Sequence, residues 1–281
     1  ARGGAADLAV EALKSNRAYE TIEILSGREG LSTPELYFKW DALMEALHMV
    51  GDHSSELIEA RGAREIYPDR LMMLRNELRA LAALGRIAEV VRGLDESLLL
   101  PSQGEIDAGD LMLSVGAELR AHDNHDGSIR VAERALEWFT SRPDDEAGTI
   151  RSRFWRALAL YSAERWDAAQ VLFEEVSSMI PPDVNVQGFL GVLAARRGDR
   201  DEALRISTEI KGMADPYDFG RDFYWQACIA AQLGELDRAM VLLREAYAQG
   251  RVFNVWLHRD FDLEPLHGYP PFEEFIEPKG R

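Results

Sequence analysis

The chain has 281 residues, 46% of them hydrophobic, and 49 acidic against 32 basic residues give a formal net charge of −17. That apolar content suffices for a folded core and excludes large-scale disorder. The acidic excess is even, at −5, −6 and −6 over residues 1–100, 101–200 and 201–281, so no basic stripe is left for a nucleic-acid backbone and direct nucleic-acid binding is not expected.

From the N-terminus, Asp7 to Ser26 reads as two short helices turning at Asn16 and Arg17, followed by a loop at Gly27 to Thr33. Pro34 suits the first residue of a helix, where its missing N–H costs nothing. Helix pairs are expected at Pro34 to Val50 with Ser54 to Ile66, and at Asp69 to Leu84 with Arg86 to Leu99. PSQGE (Pro101 to Glu105) breaks the pattern before Ile106 to Ala121 and Gly127 to Thr140. SRPDDE (Ser141 to Glu146) is an insertion that stretches the spacing from Gly116 to Ala157 to 41 residues. A complete unit follows from Ile150 to Asp183, then Val184 to Arg197 with Asp201 to Lys211, and Asp218 to Leu233 with Leu236 to Gln249. Phe253 to His258 reads as a short helix. Beyond it, Phe261, Leu263, Leu266, Tyr269, Phe272 and Phe275 are apolar anchors suited to covering the last pair.

The unit Ile150 to Asp183 carries the organising pattern. Ala157 and Leu160 share one helix face, Asp167 is placed to start a second helix, Ala169 permits close approach, Phe173 and Val176 continue the apolar face, and Pro181 ends it. Ala169, Ala203 and Ala239 recur at separations of 34 and 36, and Gly51 with Gly85, and Gly198 with Gly234, recur at the first-helix exit. This order resembles the tetratricopeptide repeat, whose period is about 34 residues. The resemblance spans Asp7 to Gln249, with Thr21, Val90 and Ser128 departing from the usual small residue.

The resemblance implies an all-α, right-handed α-solenoid of about seven helix pairs with a C-terminal capping segment. It divides into an N-terminal sub-array (1–142), a C-terminal sub-array (143–250) and a cap and tail (251–281). In that family the first helices face a concave groove where ligands lie. Carried over by phase, the groove residues are Asp41, Glu45 and His48, then Arg75, Asn76 and Arg79, then Asp110 and Arg120. Arg151, Trp155 and Tyr161 follow, then Asn185 and Arg196, and finally Arg221, Tyr224 and Trp225. Arginine forks suit carboxylates and peptide ends, while Trp and Tyr provide rigid anchoring area. The string WLHRDFDLEPLHGYPPFEEF also resembles the tail of tetratricopeptide arrays in bacterial regulatory proteins, which are joined to kinase, cyclase or winged-helix domains.

Chemistry-bearing patterns are sparse. HDNHD (His122 to Asp126) offers metal-ligand atoms but sits where a helix-to-helix turn belongs. His48 and His53, five apart across a helix end, read as satisfied or exposed histidines. Adjacent carboxylates such as Asp144 with Asp145, Glu174 with Glu175 and Glu273 with Glu274 do not face each other on a helix. No phosphate loop, HExxH or GxSxG occurs, so no catalytic residue, metal or cofactor is expected. No run approaches the roughly 20 apolar residues of a membrane span. Cys228, the single cysteine, reads as a small buried residue in a reducing, cytoplasmic setting. The start at ARGGAAD looks like a cut in a longer chain. The expectation is a non-catalytic module that binds a protein or peptide, the regulatory part of a larger bacterial protein with an effector domain upstream. The alternative is a small-molecule-sensing regulatory domain, and an unrecognised enzyme comes third.

Overall fold

The computed structural model describes residues 2–26, 37–102, 106–142, 149–213 and 215–280. The expected loop at Gly27 to Thr33, the start at Pro34, the end of PSQGE and most of SRPDDE lie outside the described residues. Helices are α1 (Arg2–Lys14), α2 (Ala18–Leu25), α3 (Tyr37–Met49), α4 (His53–Ile66), α5 (Leu71–Ala83), α6 (Ile87–Ser97), α7 (Ala108–Ala121) and α8 (His125–Thr140). They continue as α9 (Ile150–Ser162), α10 (Trp166–Met179), α11 (Val184–Arg196), α12 (Arg200–Gly212), α13 (Arg221–Gln232) and α14 (Leu236–Ala248). The tail adds α15 (Val255–Arg259), a 3-10 helix at Phe261–Leu266 and α16 (Pro270–Ile276). No strand occurs among the described residues, and no helix there is long and apolar enough to cross a membrane.

The pairing follows from two recurring sequence features. At the first-helix exit the chain must reverse, and it does so through a left-handed residue. Asn16, Gly51, Gly85, Asp123, Glu164, Gly198 and Gly234 all have φ between 58° and 78°, at separations of 34 to 41 residues. Four are glycine, for which this region carries no Cβ penalty. In the second helix the small residue lets its partner approach: Ala169, Ala203 and Ala239 are fully buried. The departures are accommodated individually. Thr21 is buried, but its hydroxyl donates to the Ala9 carbonyl of α1 at 2.9 Å, so the added polar atom is satisfied. Val90 and Ser128 are simply buried in place.

Ends are set locally. Asp52, Asp107, Asp183 and Asp199 accept N-terminal amides as caps. Asp167 lies in the first turn of α10 rather than at its cap, which is Arg165. Ile180 is extended (φ −126°, ψ 158°) because Pro181 disfavours a helical predecessor, and α10 ends one residue earlier. HDNHD makes the expected turn: Asp123 is left-handed and Asn124 Oδ1 accepts the Gly127 amide at 3.0 Å.

Glu164 is the exit residue least suited to its backbone, with φ 58° and no side chain of the Asn or Asp kind. Glu164→Gly is therefore expected to stabilise the protein by about 0.5–1 kcal/mol, and Gly198→Ala to destabilise it by a similar amount. Chemical denaturation of both variants checks this; a lower midpoint for Glu164→Gly would contradict it.

The chain forms two compact units, Ala1–Trp138 with Phe253–Arg259 and Ile276–Arg281, and Phe139–Val252 with Asp260–Phe275. In the first unit the first helices α1, α3, α5 and α7 pack in succession, with α2, α4 and α6 each touching its partner and the next first helix. In the second unit α9 to α14 pack likewise, with α11 against α13. Each unit thus has the tetratricopeptide-like all-α form implied by the repeats. The aromatic centre of the second unit is Phe173 and Phe189, stacked at 4.8 Å and 7°, with Phe154 and Tyr161 edge-on to both. Cys228, in the same unit, is buried, as expected.

Candidate functional site

The first-helix faces of both units carry polar clusters, and both are covered by the chain's own C-terminal segment. Helix α15 lies against α3 and α7 in the first unit. The Val255 amide donates to Glu45 Oε1 at 3.0 Å, and burial pushes the Glu45 carboxyl up from its usual range. Arg259 donates to Ser114 Oγ at 3.1 Å and sits 3.7 Å from Glu118; burial, opposed by that carboxylate, pulls the guanidinium down to about 10. Farther along, the Phe253 amide donates to the Lys14 carbonyl at 3.0 Å and the Lys279 amide to that of Asn16 at 2.7 Å.

Beneath α15 the ion pairs are dense. Asn76 Nδ2 donates to Asp41 Oδ1 at 2.8 Å, and Arg75 lies 3.5 Å from the same carboxylate. Arg79 Nε donates to Glu56 Oε1 at 2.7 Å, while Glu56 Oε2 is 2.8 Å from His48 Nδ1 and 3.4 Å from His53 Nδ1. Burial works to raise the Glu56 pKa, but the Arg79 charge and the histidine hydrogen bonds hold it at about 2. On its other side His48 faces Glu118, as does His122.

In the second unit the 3-10 helix packs on α13. Asp262 accepts from the Tyr161 hydroxyl and from Arg196 at 2.8 Å, and its carbonyl accepts from Gln232 at 2.8 Å. Tyr224 donates to Asp260 Oδ2, and Asp260 Oδ1 caps the Asp262 amide at 2.9 Å. The Arg196 guanidinium also lies over the Trp166 and Phe261 rings, 4.9 and 5.1 Å from their centroids. The segment therefore does more than cover the last pair. Only its later part does that, with Tyr269 donating to Asp237 and Phe275 edge-on to Tyr247 at 5.2 Å.

Of the residues expected on these faces, Asp41, Glu45, His48, Arg75, Asn76 and Arg79 come together in the first unit, and Tyr161, Arg196 and Tyr224 in the second. Asn185 accepts from Trp225 Nε1 at 3.2 Å, over Gly188, where any Cβ would lie 2.0 Å from the indole. The rest stand elsewhere. Asp110 completes a capping box with Asp107, and Arg120 is half-buried in the last turn of α7. Trp155 stacks on Phe139 at 6.0 Å beneath Arg151, and Arg221 lies 3.6 Å from Asp218. Sequence reasoning missed Glu56, Glu118, Arg259, Asp260, Asp262 and Gln232, and set aside His53 and His122. The available signal was DFD at 260–262, two acids flanking one of the tail's apolar anchors.

Asp260 gives a pH prediction. Burial, then the neighbouring Asp262 charge, pushes its carboxyl up to about 6 despite the Tyr224 hydrogen bond. The unfolded value is about 3.9, so the folded state binds the proton more tightly. The resulting stabilisation is complete below about pH 4 and is lost as pH rises through about 6. Asp260→Asn removes the charge while its Oδ1 still accepts the Asp262 amide, and its new amide group faces the Tyr224 hydroxyl as a donor. Its melting temperature should rise relative to wild type between about pH 4 and pH 7; a constant difference across that window would contradict the assignment.

Helix pairs with left-handed exits and small buried residues where the second helix meets the first give each unit a tetratricopeptide-like all-α architecture. No family model matches the chain, and no curated protein matches it in sequence. Among solved structures it is similar to a tetratricopeptide repeat protein from Parabacteroides merdae, at 14% identity over 94% of this chain and 98% of that one, TM-score 0.49. It is also similar to MamA (AMB-1), at 20% identity over 63% and 96%, TM-score 0.33, and to yeast Tom70, at 14% identity over 96% and 67%, TM-score 0.33.

Proposed function

We propose that this chain is a non-catalytic protein-interaction module whose first-helix faces recognise a short acidic-apolar segment, and that it serves as the regulatory part of a larger bacterial, cytoplasmic protein with a linked effector domain. One observation carries the reading. In DFDLEPL, Asp260 and Asp262 are held by Tyr161, Arg196, Tyr224 and Gln232 from α9, α11 and α13. Side chains on successive first helices thus read carboxylates and a backbone carbonyl of one short segment, which is how a peptide is recognised. The donors are engaged within the chain, so a partner segment of the same chemistry would compete with the tail. The alternation of acids with Phe261, Leu263 and Leu266 sets its character.

The test uses the full chain and a labelled peptide of sequence RDFDLEPLHG. Asp260→Asn/Asp262→Ala weakens the internal contact and should bind the peptide at least tenfold more tightly than wild type, measured by fluorescence anisotropy. Adding Arg196→Ala should abolish that gain. Absence of binding to the released variant, with circular dichroism showing an unchanged fold, would overturn the proposal, as would binding indifferent to Arg196.

A further inference from the structure

The first unit contains a histidine–glutamate cluster that segment recognition does not use. His48 lies in the last turn of α3, His53 and Glu56 open α4, Glu118 lies in the last turn of α7 and His122 caps that helix. The ring centroids of His48, His53 and His122 are 4.6, 5.1 and 6.0 Å apart. The Glu118 side chain is 1% exposed, with His48 Nε2 and His122 Nε2 both 2.9 Å from its Oε1 and the Arg259 guanidinium 3.7 Å from its Oε2.

Two ring nitrogens and a carboxylate oxygen that converge in this way are placed as ligands of a shared cation. With metal–ligand bonds of about 2.0–2.1 Å, a tetrahedral site separates its ligand atoms by about 3.3 Å, so an opening of a few tenths of an ångström admits the ion. The outer groups fit the same role. Glu56 Oε2 lies 2.8 Å from His48 Nδ1, placed to accept its proton when Nε2 ligates the ion, and Arg79 anchors the other Glu56 oxygen at 2.7 Å. A carboxylate behind a ligating imidazole is the usual outer arrangement of such sites. His122 is 30% exposed and supplies the way in.

We propose that His48, Glu118 and His122 bind a divalent first-row transition-metal ion of the zinc type, with water completing its coordination. Two imidazoles and one carboxylate suit that class rather than the all-oxygen sites of magnesium or calcium. The ion would tie α3 to α7, and the inference stands independently of segment binding.

The full chain, stripped with a chelator and dialysed, is titrated with zinc by calorimetry and with cobalt by visible absorption. We expect one ion per chain, cobalt ligand-field bands, and a melting temperature that rises with zinc and falls back with chelator. His122→Ala, at a partly exposed position, should keep the metal-free melting temperature and bind zinc at least tenfold more weakly. Glu118→Gln should also bind zinc at least tenfold more weakly, and Glu56→Gln should weaken binding about 10–100-fold. If the cluster is only an imidazolium held between two glutamates, the stripped protein takes up no stoichiometric zinc or cobalt. That result overturns the proposal, as does uptake unchanged in both His122→Ala and Glu118→Gln.

Discussion

Deleting residues 251–281 is expected to abolish cooperative unfolding of the remaining chain and to cause association. Val255, Leu257, Leu263, Leu266 and Phe272 are all buried in the intact protein. Side chains of this size each contribute about 1.5–3 kcal/mol when fully buried, so their combined loss is comparable with the whole stability of a typical domain, about 5–15 kcal/mol. The polar consequences add to this. Glu45 loses its amide donor, Glu118 loses the nearby Arg259 charge, and Tyr161, Tyr224 and Arg196 lose their carboxylate acceptors. Buried groups stripped of partners are costly. Thermal denaturation followed by circular dichroism, with light scattering for association, reads the result. A soluble truncated chain melting sharply at the parent temperature would refute it.

Phe173→Ala is the point change expected to cost most, about 3–5 kcal/mol, the usual range for a large aromatic removed from a packed core. Phe173 is fully buried and touches the rings of Phe154, Tyr161 and Phe189. Its neighbour Val171, on the same helix and 54% exposed, supplies the control, since Val171→Ala should change stability little. The two variants separate core packing from helix propensity. Equal denaturation midpoints for both would mean that α10 does not bury the face assigned to it. The cavity also lies beside Tyr161, so Phe173→Ala should loosen the hold on Asp262 and increase peptide binding in the anisotropy assay.

The helix pairs were legible because they rest on local rules. A residue that must turn left-handed, a small residue that must admit a neighbouring helix and an aspartate that must cap an amide are demands met within a few positions of the chain. Gly51, Gly85, Gly198 and Gly234, and Ala169, Ala203 and Ala239, announce them at repeat spacing. Glu164 and Asn16 show the limit of that reading: they take the same left-handed backbone without the glycine that would have marked it.

What those faces hold was decided by tertiary structure. Repeat phase identifies a first-helix face but says nothing of what returns to cover it, because contacts such as Val255 with Glu45 or Tyr161 with Asp262 join residues 210 and 101 positions apart. No periodicity relates such residues, and each acid alone reads as an exposed charge in a strongly acidic chain. The same holds for His48, Glu56, Glu118 and His122, which are ordinary helix-end residues until packing of α3, α4 and α7 brings them together. Sequence alone determined the repeating helix pairs and their exits. The covered faces and the buried histidine–glutamate cluster come from long-range packing, which turns solvated charges into partnered ones.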